Sequence, residues 1–390
     1  MPVESDLTQA ALTLLDRLVG YDTVSRNSNL KLVADVSAYL DSHGLAHTVL
    51  PSPDGQKANI FLTIGPADRP GIILSGHTDV VPVDGQVWTH DPFKLTRVGS
   101  RVYGRGTSDM KGYVACMLAI APVLAARELR QPVHLALSYD EEIGCTGVPF
   151  LIDHIRDLGL PLEAALIGEP SSMGVVNGHK GSASFRTTVT GLSCHSSRPD
   201  IGVSAILHSI EIIRHLTDYA AQLAADPDSV GVFDPPYTTV TINTMHGGTA
   251  QNAIPGDCRF EWDVRATRHG RVQEVHAAYQ AYVDTVALPA LRARFAGADI
   301  TTSKNYDAAP MVPQPGCAAE SLAKALTGAN AATSVPYCSE AGIFQAAGIP
   351  SVICGPGDIA QAHTADEFIE ISQLAACMQV LNRLAERLTA

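Results

Sequence analysis

The sequence predicts an α/β protein: a mostly parallel sheet flanked by helices, interrupted by an inserted α+β module. Three observations predict it. Short apolar runs at 59–64, 71–74, 133–139 and 164–167 read as buried strands, with helical stretches between them. Near Gly178 the pattern changes to strands with one wet face, and after 318 the first pattern returns. At 390 residues the chain also exceeds what one hydrophobic core usually supports, so two domains are expected.

The elements follow in order. Leu7, Ala11, Leu14, Leu15 and Leu18 share one face of an opening helix, and Gly20 closes it. A second helix covers 30–42 and ends at Gly44; further helices at 113–126 and 150–158 separate the apolar runs. The inserted block opens with alternating polar and apolar residues at 182–190. A helix at 203–223, strands at 238–244 and 258–265, a helix at 272–286 and a strand at 299–305 follow. That order resembles a ferredoxin-like module. A helix at 318–326, a strand at 351–354 and a helix at 372–388 complete the interrupted part. The expected domains are 1–180 with 307–390, and 181–306 as the insertion.

Composition excludes several function classes. Apolar residues make up 46% and charged residues 17%, as in ordinary globular proteins. A formal net charge of -13 argues against nucleic-acid binding, which needs a basic face. No apolar run approaches the roughly 18 residues of a membrane span, and the N-terminus shows no signal peptide. The eight cysteines include no C-x-x-C and read as reduced thiols, so a cytoplasmic protein is expected.

The chemistry-bearing residues stand where apolar runs end, the place where open parallel sheets build sites. His77 and Asp79 lie in SGHTD, after the run at 71–74. A ligating imidazole needs its second nitrogen held, and Asp79 is placed to hold it; a turn histidine beside a capping aspartate is the alternative. Asp109 sits in a glycine-rich loop before a helix, as an N-cap or as a carboxylate bridging two metals. Glu141 and Glu142 follow the run at 133–139. Adjacent carboxylates repel unless a cation or shared proton compensates, and neighbouring side chains diverge, so one can ligate while the other takes a proton. Glu169 follows the run at 164–167, and His363 follows the last strand. Oxygen and nitrogen donors without thiolate suit zinc, cobalt or manganese.

These motifs resemble a known family, the dinuclear zinc amidohydrolases and exopeptidases that include acetylornithine deacetylase, succinyl-diaminopimelate desuccinylase, aminoacylase and glutamate-releasing carboxypeptidases. The likeness runs through SGHTDVVPV, GRGTSDMKG, SYDEEIGCTG, IGEPS, GLSCHSSRPDIGVSAI, GGTAQNAIPGDCRFEWDVR and GPGDIAQAHTADEFI. It implies two zinc ions per subunit, with cobalt able to substitute. His77, Asp109 and Glu169 would hold one, and Asp109, Glu142 and His363 the other. It further implies a cis peptide at Asp109–Met110, Asp79 orienting His77, and Glu141 as general base. The insertion becomes a lid and dimerisation domain, with His195 stabilising an oxyanion in the partner subunit's site. Asn252 and Arg265 would contact substrate, the guanidinium gripping an α-carboxylate.

The stretch 337–357 is most similar to acetylornithine deacetylase, so the expected reaction removes acetyl from N2-acetyl-L-ornithine, a step of arginine biosynthesis. The expected partners are a small N-acyl amino acid and a second copy of the chain, with no nucleic acid and no membrane. The alternatives are a deacylase for acetylcitrulline or succinyl-diaminopimelate, an exopeptidase, and a catalytically silent homologue that binds amino acids.

Overall fold

The structure, a computed structural model, describes residues 2–225, 227 and 232–389. It divides into two compact units. One comprises residues up to 178 with 313–334 and those from 339 onward; the other comprises 179–312 with 335–338. The exit lies later than the expected 306/307, because the last strand of the insertion runs to Ala308 and Met311 still pairs with His179.

Twelve strands build the two main sheets: β1 (Thr48–Pro51), β2 (Ala58–Ile64), β3 (Gly71–His77), β4 (Val133–Ser138), β5 (Leu162–Pro170), β6 (Val176–His179), β7 (Gly181–Thr190), β8 (Thr239–Gly247), β9 (Asp257–Ala266), β10 (Asp299–Ala308), β11 (Thr333–Val335) and β12 (Ser351–Gly355). The helices are α1 (Pro2–Val19), α2 (Leu30–Ser42), α3 (Lys111–Ala125), α4 (Val148–Asp157), α5 (Ala205–Ala225), α6 (Arg271–Tyr282), α7 (Leu288–Arg294), α8 (Ala318–Thr327), α9 (Ala341–Ala346) and α10 (Ile371–Leu388). None of the described helices is long and apolar enough to cross a membrane.

The first unit holds an eight-stranded sheet in the order β1-β2-β4-β3-β5-β12-β6-β11. Its centre, β4-β3-β5-β12, is parallel, as the alternation predicts. β3 and β4 are buried at every position, which is why they read as unbroken apolar runs. The flanking pairs β1–β2, β2–β4 and β6–β12 are antiparallel. β1, short and largely exposed, and β11, short and mostly half-buried, carry no burial pattern for the sequence to reveal.

Helix α3 is apolar all round and lies between the sheet and helices α1 and α10. Pro122 stands in its last turns and cannot supply the N–H that the Leu118 carbonyl expects. Tyr39 of α2 replaces it, its hydroxyl donating to that carbonyl at 3.1 Å.

The second unit is a four-stranded antiparallel sheet in the order β8-β9-β7-β10, with α5 following its first strand and α6 its third. This is the expected ferredoxin-like connectivity. Phe185 stacks on the buried Trp262 with centroids 4.3 Å apart, and the indole N–H donates to Thr187 Oγ1 at 3.1 Å. The helix expected at 272–286 is instead α6, a π-helical turn at Val283–Ala287, and the unpredicted α7.

Two stability predictions follow from buried polar groups. Tyr39→Phe leaves the Leu118 carbonyl without its donor and should cost about 1 kcal/mol in urea unfolding. In a Pro122→Ala background, where a backbone N–H returns, the cost should shrink. The second concerns His134 on β4, which is fully buried, with Nδ1 2.9 Å from Thr63 Oγ1 and no donor or acceptor at Nε2 among the described residues. Burial lowers it from 6.5 to about 4. Between those values the unfolded chain binds a proton that the folded chain does not, so stability is full above pH 6.5 and falls toward pH 4. The loss amounts to roughly 3 kcal/mol. Urea midpoints of the wild type and His134→Gln, compared at pH 7 and pH 4.5, should differ less at the lower pH than at the higher.

Candidate metal centre

The site is built at the carboxyl ends of the parallel strands. β3 ends on His77, which is fully buried. Beyond β4 the chain turns through Asp140, left-handed at φ 57 and paired with Lys57, and this turn sends Glu141 and Glu142 in different directions. Glu169 stands near the end of β5, one residue after Gly168. Any Cβ on Gly168 would lie 1.8 Å from the Tyr113 ring, so only glycine lets β5 approach α3 this closely. Asp109 ends the glycine-rich loop ahead of α3, and its peptide to Met110 is cis, as the family resemblance implies.

Asp109 stands between the two histidines. Its Oδ1 lies 3.0 Å from His77 Nε2 and its Oδ2 3.3 Å from His363 Nε2. One oxygen facing each imidazole is the arrangement a carboxylate shared by two cations requires. Glu142 Oε2 lies 3.1 Å from His363 Nε2, and Glu169 Oε1 3.8 Å from His77 Nε2. Ligand atoms of His77, Glu141 and Glu169 lie within 4.8 Å of one another, as do those of His77, Asp109 and Glu142. The donor set is entirely oxygen and nitrogen. Glu142 Oε1 and Glu169 Oε1 are buried with no hydrogen-bond partner among the described residues, which is costly unless a cation or proton meets them. These residues fit a pair of divalent cations.

The electrostatics express the crowding. Burial pulls His77 down, but Asp109, Asp79 and Glu169 raise it well above the ordinary histidine value. Burial, then nearby carboxylates, raise Glu141 and Glu169 well above the usual range, and push Glu142 up to about 7. Hydrogen bonds that His363 donates to the Asp109 and Glu142 carboxylates raise it to about 10. Asp109 goes the other way: burial opposes it, yet the two histidines hold it well below the usual carboxylate range.

Asp79 holds His77 differently from the expectation. His77 Nδ1 lies 2.9 Å from the Asp79 backbone carbonyl and 3.6 Å from its carboxylate. The carboxylate accepts from Ser25 Oγ (2.6 Å) and from the N–H groups of Glu141 (3.0 Å) and Glu142 (3.3 Å). One residue thus orients the imidazole through its main chain and the glutamate pair through its side chain.

Sequence reasoning missed two buried acids. Glu340, beside α9, accepts from Ser75 Oγ (2.5 Å) and Ser138 Oγ (2.8 Å), joining β3 and β4 just below His77. Glu367 pairs with the buried Arg105 at 2.7 Å and caps the loop that carries Asp109. Glu367 lies inside the motif 355–369, four residues after His363, and Glu340 inside the similar stretch 337–357; membership of those stretches was the only signal for either.

His195, Asn252 and Arg265 belong to the second unit. The short strands Cys194–His195 and Ala253–Ile254 pair, with His195 opposite Ala253, and the Ser196 N–H donates to the Asn252 carbonyl at 2.9 Å. His195 Nδ1 lies 2.8 Å from Ser197 Oγ and 3.2 Å from the Ser197 N–H. Arg265 on β9 pairs through Nε with Asp263 Oδ2 at 3.2 Å.

Comparison with known proteins agrees with this geometry. The description of peptidase family M20/M25/M40 matches residues 73–387. An acetylornithine deacetylase of Proteus mirabilis (strain HI4320) is 31% identical over 372 residues, 94% of this chain and 92% of that protein. One from Myxococcus xanthus is 32% identical over 389 residues, 97% of each. Among solved structures, an M20 family metallo-carboxypeptidase from Sulfolobus solfataricus superposes with a TM-score of 0.76 at 17% identity, covering 96% of this chain and 98% of that one. Human carnosine dipeptidase 1 gives 0.74 at 16%, covering 98% and 97%. The strand-end cluster of histidines and carboxylates thus sits in a chain that belongs to peptidase family M20/M25/M40, and the protein is a metal-dependent hydrolase.

Proposed function

We propose that this hydrolase cleaves the amide bond of an N-acyl amino acid, with N2-acetyl-L-ornithine as its substrate and ornithine and acetate as products. The observation that carries the chemistry is the divergence of the acid pair. Glu142 turns to His363, while Glu141 groups with His77 and Glu169, and among the described residues no ion pair joins it to an imidazole. The substrate assignment is supported by relatives named acetylornithine deacetylase that align over more than nine-tenths of the chain.

In this reading His77, Asp109 and Glu169 hold one zinc, and Asp109, Glu142 and His363 the other. Bound there, the two cations supply Lewis acidity, polarising a carbonyl and making water nucleophilic near neutral pH. Glu141 takes the proton of the attacking water at its carboxylate and delivers it to the amine nitrogen as the C–N bond breaks. Asp79 keeps His77 in place. His195 presents its Nε2 proton to the oxygen that gains charge, and Arg265, with Asn252, binds the substrate carboxylate. A homodimer through the second unit is supported by the free edge of β8 and by the exposed Leu207 and Ile210 of α5. The expected compartment is the cytoplasm.

Two measurements test the reading. Glu141→Ala should bind zinc at the wild-type level while kcat falls by about 10²–10⁴-fold; full turnover in the metal-loaded variant would remove Glu141 as the base. In a panel of acetylornithine, acetylcitrulline, succinyl-diaminopimelate and a dipeptide, amine release should be fastest from acetylornithine. Faster release from the dipeptide would replace the deacetylase assignment with an exopeptidase.

A further inference from the structure

The segment that delivers His363 also grips the loop that delivers Asp109. Glu367, buried four residues beyond His363, takes four donors on its two oxygens. Oε2 accepts from Arg105 Nη1 (2.7 Å) and the Gly106 N–H (3.0 Å), and Oε1 accepts from the N–H groups of Ser108 (2.9 Å) and Asp109 (3.1 Å). Its backbone carbonyl accepts from the Gly104 N–H at 2.9 Å. A second path joins the same two segments. Arg105 Nη2 donates to Gln86 Oε1 at 2.6 Å, and Gln86 Nε2 donates to the His363 carbonyl at 2.8 Å. Glu367, Arg105, Gln86 and His363 therefore form a closed ring.

The backbone inside that ring is held in a sparsely populated conformation. His363 and Asp366 are both left-handed, at φ 61 and φ 53. Such residues persist where their surroundings fix them, and they concentrate at functional sites. Here Gln86 fixes the first through its carbonyl, and the Thr89 N–H, donating to Asp366 Oδ1 at 2.8 Å, fixes the second.

We propose that Glu367, closed into this ring by Arg105 and Gln86, is the positioning residue that sets His363 against Asp109 and so the fit of the cation they share with Glu142. The inference rests on the two-cation reading above. It needs a carboxylate, because both oxygens face only donors; the amide of Glu367→Gln would turn its own N–H groups on one pair of them. Asp109 serves both cations, but among the described residues His77 and Glu169 make no hydrogen bond to the ring, so the effect should fall more heavily on the cation that His363 holds.

Equilibrium dialysis of the full chain against Co²⁺, read by elemental analysis and by the visible cobalt spectrum, tests this. The wild type should take up two cobalt ions per chain. Glu367→Gln should keep one within about threefold of its wild-type affinity and bind the other about 10–100-fold more weakly, with part of the spectrum lost. Gln86→Ala, which alters only a partly buried side chain, should weaken the same ion in the same direction; this shift supports the proposal even if Glu367→Gln fails to fold. Two cobalt ions at wild-type affinity in both variants would overturn it. So would equal loss of both ions in Glu367→Gln, or its failure to fold, when Gln86→Ala matches the wild type. Fewer than two ions in the wild type would instead overturn the two-cation reading, and this inference with it.

Discussion

Negative charge crowded at the buried end of a parallel sheet is the constraint on which the rest of this structure depends. Asp79, Asp109, Glu141, Glu142 and Glu169 share a small space with two imidazoles. At an effective dielectric near 20, two like charges about 4 Å apart repel by about 4 kcal/mol. The protein answers in two ways. Asp79, Glu340 and Glu367 are satisfied by hydroxyl, backbone and guanidinium donors on both oxygens. Glu142 and Glu169 each keep a buried oxygen that no described residue meets. That contrast separates acids that hold the structure from acids left for a cation.

The hydrogen-bonded acids also explain how distant stretches of chain converge. Ser25 reaches Asp79, which fixes the peptide groups of the glutamate pair, while Glu340 joins the strands that end at His77 and Ser138. Lys111, buried at the start of α3, donates to the carbonyls of Leu18 and Tyr21 and so tethers the Asp109 loop to the segment that holds Ser25. The candidate ligand residues come from three strand ends and two loops, and these hydrogen-bonded acids tie those segments to one another.

Much of this was legible in the sequence for a physical reason. A strand buried on both faces must be apolar throughout, so β3, β4 and β5 announce themselves, and the polar residue where each run stops is already a site candidate. His77, Glu141, Glu142 and Glu169 were found in that way. Asp109 and His363 lie in loops, and each could equally have been a cap or an incidental residue until the fold set them 3.3 Å apart. Glu340 and Glu367 were not legible, because a buried glutamate looks like a surface one until its donors are known. The antiparallel flanks escaped for the opposite reason: β1 is exposed and short, so neither face leaves a pattern. The break in the long helix of the second unit likewise has no marker until Pro289, which opens α7.

The ends of the second unit meet. His179 and Met311 exchange both backbone hydrogen bonds, 2.9 and 3.1 Å, where the chain enters and leaves that module. Closing a loop costs entropy that grows with the length of disordered chain between its ends, yet the strands and helices described between these two residues share a sheet and core of their own. The stretch from His179 to Met311 is therefore closed at its base like a hairpin, however long the chain between them. A stretch whose entry and exit are paired in this way can change in length between them over evolutionary time without altering that pairing.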